Sequence, residues 1–177
     1  MSKAIYQIDS AHSSAQFTVR HLMISNVRGE FTKLSGSIAY DPADPASSSI
    51  DATIDAASIN TREAQRDAHL KSADFFDVER FPVLTFRGKE VGIRDGEGTV
   101  KGDLTMHGVT REVVLRVEGP TPEAKDPWGN MRIGATATAK INRKDFGLNW
   151  NAALEAGGVL VGEEVKITID LEAIRQG

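Results

Sequence analysis

Apolar and polar residues alternate with a period of two along most of this chain. Over Ser14–His21, Phe17 and Val19 stand against Gln16, Thr18 and Arg20. Over Ser48–Ala56, Ile50, Ala52, Ile54 and Ala56 stand against Asp51, Thr53 and Asp55. The pattern repeats over Thr99–Met106 (with Gly102 on the apolar face), Glu112–Glu118, Met131–Ile141 and Val165–Ala173. Successive side chains of a strand point to opposite faces, so this alternation predicts antiparallel strands with one wet face each. Shorter candidates are Ile5–Ile8, Arg28–Phe31, Leu34–Tyr40 and Val83–Val91. Turn-forming stretches separate them, among them 41–45, 95–98, His107-Gly108, 120–122 and 126–129. Many regular strands with frequent turns predict an all-β sandwich or barrel.

One stretch breaks the period. Asn60 followed by Glu63 reads as a capping box, and good helix formers run on to about Ser72. Ala64 and Ala68 share a face there, and Asp67 and Lys71 are spaced for an ion pair. This predicts one short surface helix. With no internal repeat and no linker, residues 1–177 are expected to form a single domain.

A sheet with an apolar face must close or stack to bury it. The choice of residues on that face bears on function. The longest strand places Ala135, Ala137 and Ala139 inward in succession, where a packed core usually carries larger side chains. Together with Ala52, Ala56 and Gly102, beside Phe17, Phe86, Met106 and Leu115, they suit an apolar cavity. Bulky side chains from the opposite wall would fill the same space, and composition leaves both readings open. Parity carried to the strand ends puts His21 and Arg143 inward at the rim. A cation there suits an amphiphile with an anionic or carbonyl head, although strand ends also carry such residues simply facing water.

Four segments in this order, DSAHSSAQFTVRH (9–21), DFFDVERFPVLTF (74–86), LTMHGVTREV (104–113) and INRKDFGLNWN (141–151), resemble the YceI-like, polyisoprenoid-binding family. The resemblance spans nearly the whole chain. It implies an all-β, lipocalin-like antiparallel barrel with one short surface helix, enclosing a long apolar channel. It also implies non-enzymatic binding, transport or storage of a long isoprenoid lipid, such as a polyprenyl phosphate or an isoprenoid quinone, and a homodimer as in other members. The expected lining is Phe17, Val19, Leu84, Phe86, Leu104, Met106, Leu115, Ala135, Ala137, Ala139, Ile167 and Ile169. His21 and Arg143 are expected at the rim. Trp150 is expected at the entrance or as a rim plug. An enzyme acting on a bound lipid, and a solid-core interaction protein active in stress, are the competing readings.

Composition narrows the chemistry. With no cysteine there is no disulfide framework, thiolate metal site or cysteine nucleophile. A formal net charge of −4 argues against a duplex nucleic-acid partner. No apolar run approaches membrane-spanning length, and residues 1–7 lack the apolar core of a signal peptide, so the chain is expected in the cytoplasm unless a leader was removed. Asp145-Phe146-Gly147 matches a kinase magnesium motif but has no phosphate loop with it, and reads as a strand-end turn. His12, His21, His69 and His107 show no ligand spacing. No metal, cofactor or catalytic residue is expected. Phe75, Phe76, Phe81 and Pro82 form the most apolar loop, read either as packing of the helix onto the barrel or as a portal.

Overall fold

The computed structural model describes residues 3–152 and 160–177. Its strands are β1 (Ala4–Ile8), β2 (Ser14–His21), β3 (Ser25–Phe31), β4 (Leu34–Tyr40), β5 (Ser49–Asp55), β6 (Ile59–Asn60), β7 (Val83–Arg94), β8 (Glu97–Met106), β9 (Val109–Glu118), β10 (Ala124–Lys125), β11 (Met131–Asn142) and β12 (Val161–Gln176). One α-helix, α1, spans Ala64–Lys71. Every pairing is antiparallel, and β11 bonds to both β9 and β12. That contact closes the ring β11-β9-β8-β7-β5-β4-β1-β12 into an eight-stranded barrel. Closure removes the open edges that a flat sheet of this size would expose.

The early strands are broken, and the breaks have local causes. Between β1 and β2 a 3-10 turn, Ser10–His12, is capped by the Asp9 carboxylate, which accepts the Ala11 N–H. Between β5 and β6, Asp55 does the same for Ala57 over Ala56–Ser58. A short side-chain acceptor competes with the sheet ladder for the next amides, so the chain turns a corner there. As a result β12 pairs with β1 through residues 173–176 and with β2 through residues 161–170 on one edge. The β2–β3 hairpin, joined by β6, continues one end of the barrel wall.

The alternating residues face as the sequence pattern requires. Along β8, Val100, Leu104 and Met106 are buried, while Lys101, Asp103 and Thr105 are only partly covered. β7 changes phase midway: Leu84 and Phe86 face in, a register shift falls between Gly88 and Glu90, and Val91 then faces in. A bulge is what permits even and odd positions of one strand to share a face.

The helix forms where expected with different details. Its cap is Glu63, whose carboxylate accepts the N–H groups of Gln65 and Arg66, while Asn60 accepts from Arg62 in the preceding turn. Asp67 turns back to accept the Thr61 N–H at 2.9 Å instead of pairing with Lys71. Ala64 and Ala68 are exposed, and the face toward the barrel carries Gln65, Arg66, His69 and Leu70. Small residues on a helix mark no face by themselves; the single Leu70 is what turns inward.

Candidate functional site

The barrel encloses an apolar cavity of about 520 Å³. The register shows how it runs. Val161 pairs with His21 at one end of β12, and Ala173 pairs with Ile8 and Ile133 near the other. The cavity is bordered by His21, Val161 and Ile141 at the first end and by Ile8, Ile133 and Leu171 at the second. The stretch from 161 to 171 at about 3.3 Å per residue, tilted by about 40°, spans about 25 Å along the barrel axis. The space is therefore elongated and follows the axis.

Of the residues expected to line it, Phe17, Val19, Leu84, Phe86, Leu104, Met106, Leu115, Ala135, Ala137, Ile167 and Ile169 all do. Ala139 does not reach the space. It pairs with Ile167, two positions nearer the strand end than Ala137, and is only partly buried. Ala56 is fully buried in the 3-10 turn and belongs to the packed core. Gly102 opens no room either: a Cβ placed there would lie 2.6 Å from Phe86 Cζ, so the Phe86 ring already occupies that volume. Room is left by Ala52, Ala135 and Ala137, each bordering the cavity.

His21, Arg143 and Trp150 all border the cavity, as expected of the rim, but the Arg143 head group is not free there. Arg143 is 3% exposed, and its guanidinium is bound to backbone carbonyls. Nε donates to Gly162 O at 2.8 Å, Nη1 to Leu148 O at 2.6 Å and Trp150 O at 2.9 Å, and Nη2 to Val161 O at 3.3 Å. Burial pulls its pKa below the ordinary arginine value. Arg143 is thus a clamp holding the 148–150 segment to the start of β12, rather than a free rim cation. It heads a 3-10 turn, Arg143–Phe146, capped by Asn142, with Phe146 in the core and Gly147 left-handed at φ 75°. This is the strand-end turn expected of Asp145-Phe146-Gly147.

Helix α1 and the loop after it cover the same end. Trp150 stacks edge-on against His69, with centroids 4.6 Å apart, and lies 5.4 Å from Phe75. Phe76 packs edge-on against Phe31 at 5.5 Å. The phenylalanine loop therefore packs the helix onto the barrel and also borders the cavity. Phe81 lies apart from it, against His107 at 5.1 Å. Residues not singled out from sequence appear here: Arg20, Gln65, Arg66, His69 and Leu70 border the cavity. Arg66 is held by Thr61, donating from Nε to Oγ1 at 2.8 Å and from Nη2 to the carbonyl at 2.7 Å. The spacing of 65, 66, 69 and 70 on a helix was the available signal.

The other histidines have local roles. His107, at φ 56°, and Gly108 form the β8–β9 turn, and His107 Nδ1 lies 3.1 Å from the Phe146 carbonyl. His12 Nδ1 lies 2.8 Å from Asp9. Among the described residues no group of three His, Asp or Glu side chains is placed to hold a metal ion, and no helix is long and apolar enough to cross a membrane.

A closed antiparallel barrel around an axial apolar cavity defines a lipocalin-like binding barrel. The YceI-like domain profile matches residues 6–173. A UPF0312 protein of Staphylococcus aureus is 40% identical over 167 residues, covering 94% of this chain and 95% of that one. The YCEI protein of Campylobacter jejuni superposes with a TM-score of 0.73 at 34% identity, over 89% of this chain and 90% of that one. A polyisoprenoid binding domain from Saccharophagus degradans has the same fold, with a TM-score of 0.70 at 19% identity over 97% and 98% of the two chains. The chain belongs to the YceI-like family.

Proposed function

We propose that this protein binds a long isoprenoid lipid, a polyprenyl phosphate or an isoprenoid quinone, and stores or carries it without chemical change. The observation that carries the reading is the axial cavity of about 520 Å³, which falls within the roughly 300–1,000 Å³ of small-molecule sites. A dry void of this volume, at about 24 cal/mol per Å³, would cost on the order of 10 kcal/mol, comparable with the whole net stability of a domain. Such a space is retained when a guest fills it. A slender apolar chain is held by contact area at about 25 cal/mol per Å², without specific polar partners. That agrees with the lining of Phe17, Ala137, Ile167 and Ile169, and with the fold this chain shares with a polyisoprenoid binding domain. The cationic end, with Arg66, suits an anionic or carbonyl head group better than the aliphatic far end does.

The test is mass spectrometry of an organic extract of purified protein, followed by reloading of the stripped protein with solanesyl phosphate and with a quinone. A stoichiometric isoprenoid is expected. A clean extract combined with no uptake of either probe would overturn the proposal. Turnover of the loaded lipid that is lost on changing His21 or His69 would replace a carrier by an enzyme.

A further inference from the structure

We propose that the turn of the β2–β3 hairpin is a membrane-docking element, which sets the adjacent end of the cavity against an anionic lipid bilayer. Leu22, Met23 and Ile24 form this turn and are 37%, 50% and 76% exposed. Leu22 and Met23 stand at φ 54° and 62°, in the left-handed region that disfavours bulky side chains. The chain's other tight hairpins follow the usual chemistry there, with Asp95-Gly96 at 54° and 77° and His107-Gly108 at 56° and 72°. A polar or glycine-containing turn would suit both the backbone and water better than Leu-Met-Ile does. The apolar side chains therefore answer to surroundings other than water.

Two observations identify those surroundings. The tip continues the cavity wall: the Leu22 N–H donates to Leu160 O at 2.8 Å, and Leu160 and His21 both border the cavity. The tip is also flanked by cations. Arg20 donates from Nη2 to the Met23 carbonyl at 3.1 Å, and Arg28 is exposed on the same outer face of the hairpin. Among the described residues neither arginine is in an ion pair, whereas the nearby Glu163 is neutralised by Lys144 at 2.8 Å. An apolar tip ringed by arginines matches the headgroup–acyl boundary of an anionic bilayer. A second copy of the chain fits less well. Three side chains offer roughly 300 Å², the size of an ordinary monomer patch, against about 800 Å² per partner in a stable interface. The purpose of docking rests on the proposed lipid cargo, but vesicle binding through the tip requires no cargo.

The test is co-sedimentation of the full chain with phosphatidylcholine vesicles and with mixed phosphatidylcholine–phosphatidylglycerol vesicles. Binding to the mixed vesicles is expected, and salt should weaken it. M23S/I24S should reduce it at least about ten-fold, and R20Q and R28Q roughly five-fold each. Met23→Trp should give a blue-shifted emission on mixed vesicles. The substituted side chains are exposed, and circular dichroism of each variant checks that it is folded. The proposal is overturned if the chain binds neither vesicle, if the tip variants bind as well as the parent, or if the tip instead drives a concentration-dependent dimer that Ile24→Ser abolishes. Vesicle binding together with a clean lipid extract would remove the cargo and leave docking standing.

Discussion

Ala137→Phe separates a cavity kept for a guest from a cavity left by imperfect packing. Ala137 lies midway along β11, paired with Ile169 on β12 and Val117 on β9, and borders the space directly. A phenyl ring needs about 150 Å³, the volume of an engineered cavity that accepts benzene. Set against a cavity of about 520 Å³, the ring takes a little under a third of it. Two opposite effects follow. Filling apolar void stabilises the lipid-free protein by up to about 3.6 kcal/mol at about 24 cal/mol per Å³, less where water already enters. At about 2–4 °C per kcal/mol for a chain of this size, its Tm should rise, by up to about 14 °C. Meanwhile a long chain would lose roughly 100 Å² of contact, about 2.5 kcal/mol, so its affinity should fall by well over ten-fold. The assay is differential scanning calorimetry of stripped protein beside titration with a fluorescent polyprenol. A lowered Tm with unchanged affinity would refute the reasoning, because it would mean that the ring met packed side chains and that the guest lies elsewhere.

Arg143→Met should leave the carbonyls of Leu148, Trp150, Val161 and Gly162 without their donor, at about 1–3 kcal/mol for each that stays buried. Urea denaturation should show a loss of at least about 3 kcal/mol, and an unchanged midpoint would disprove the clamp. Gly102→Ala brings a Cβ to 2.5 Å from the Arg87 carbonyl and 2.6 Å from Phe86 Cζ, and should cost about 1–3 kcal/mol in the same assay. Arg66→Ala should weaken a polyprenyl phosphate several-fold more than the matching alcohol in paired titrations; equal losses would remove the cationic end from head-group recognition. Burial, together with its hydrogen bond and proximity to Glu123, pushes the Tyr6 phenol up to about 12. A raised folded-state pKa stabilises below the unfolded value of about 10 and is lost as pH climbs from there to about 12. Thermal melts should therefore show a fall in Tm across that window that is smaller in Tyr6→Phe, where the raised Tyr40 phenol still contributes.

What the sequence could and could not announce follows from the physics of each feature. Strand faces were legible because solvent on one side and core on the other act on every second residue, and β8 obeys that rule along its length. Strand ends were less so: β12 runs Val161–Gln176, beyond the Val165–Ala173 that alternates cleanly, because end residues pair through backbone groups whatever their side chains. The cavity was legible only as an ambiguity. An inward alanine reports a missing side chain, but whether a neighbour fills the gap depends on cross-strand register, which alternation does not encode. Ala137 faces open space, Ala139 two residues on lies outside it, and Gly102 is filled by Phe86. Arg143 misled for a related reason. Parity gives a direction, and it did point inward, but the hydrogen-bond partners that turn a cation into a clamp come from carbonyls at 148, 150, 161 and 162, which carry no side-chain signature at all. A site built from area and backbone is nearly silent in sequence. Its determinants are shape and register, and many different sequences can supply both.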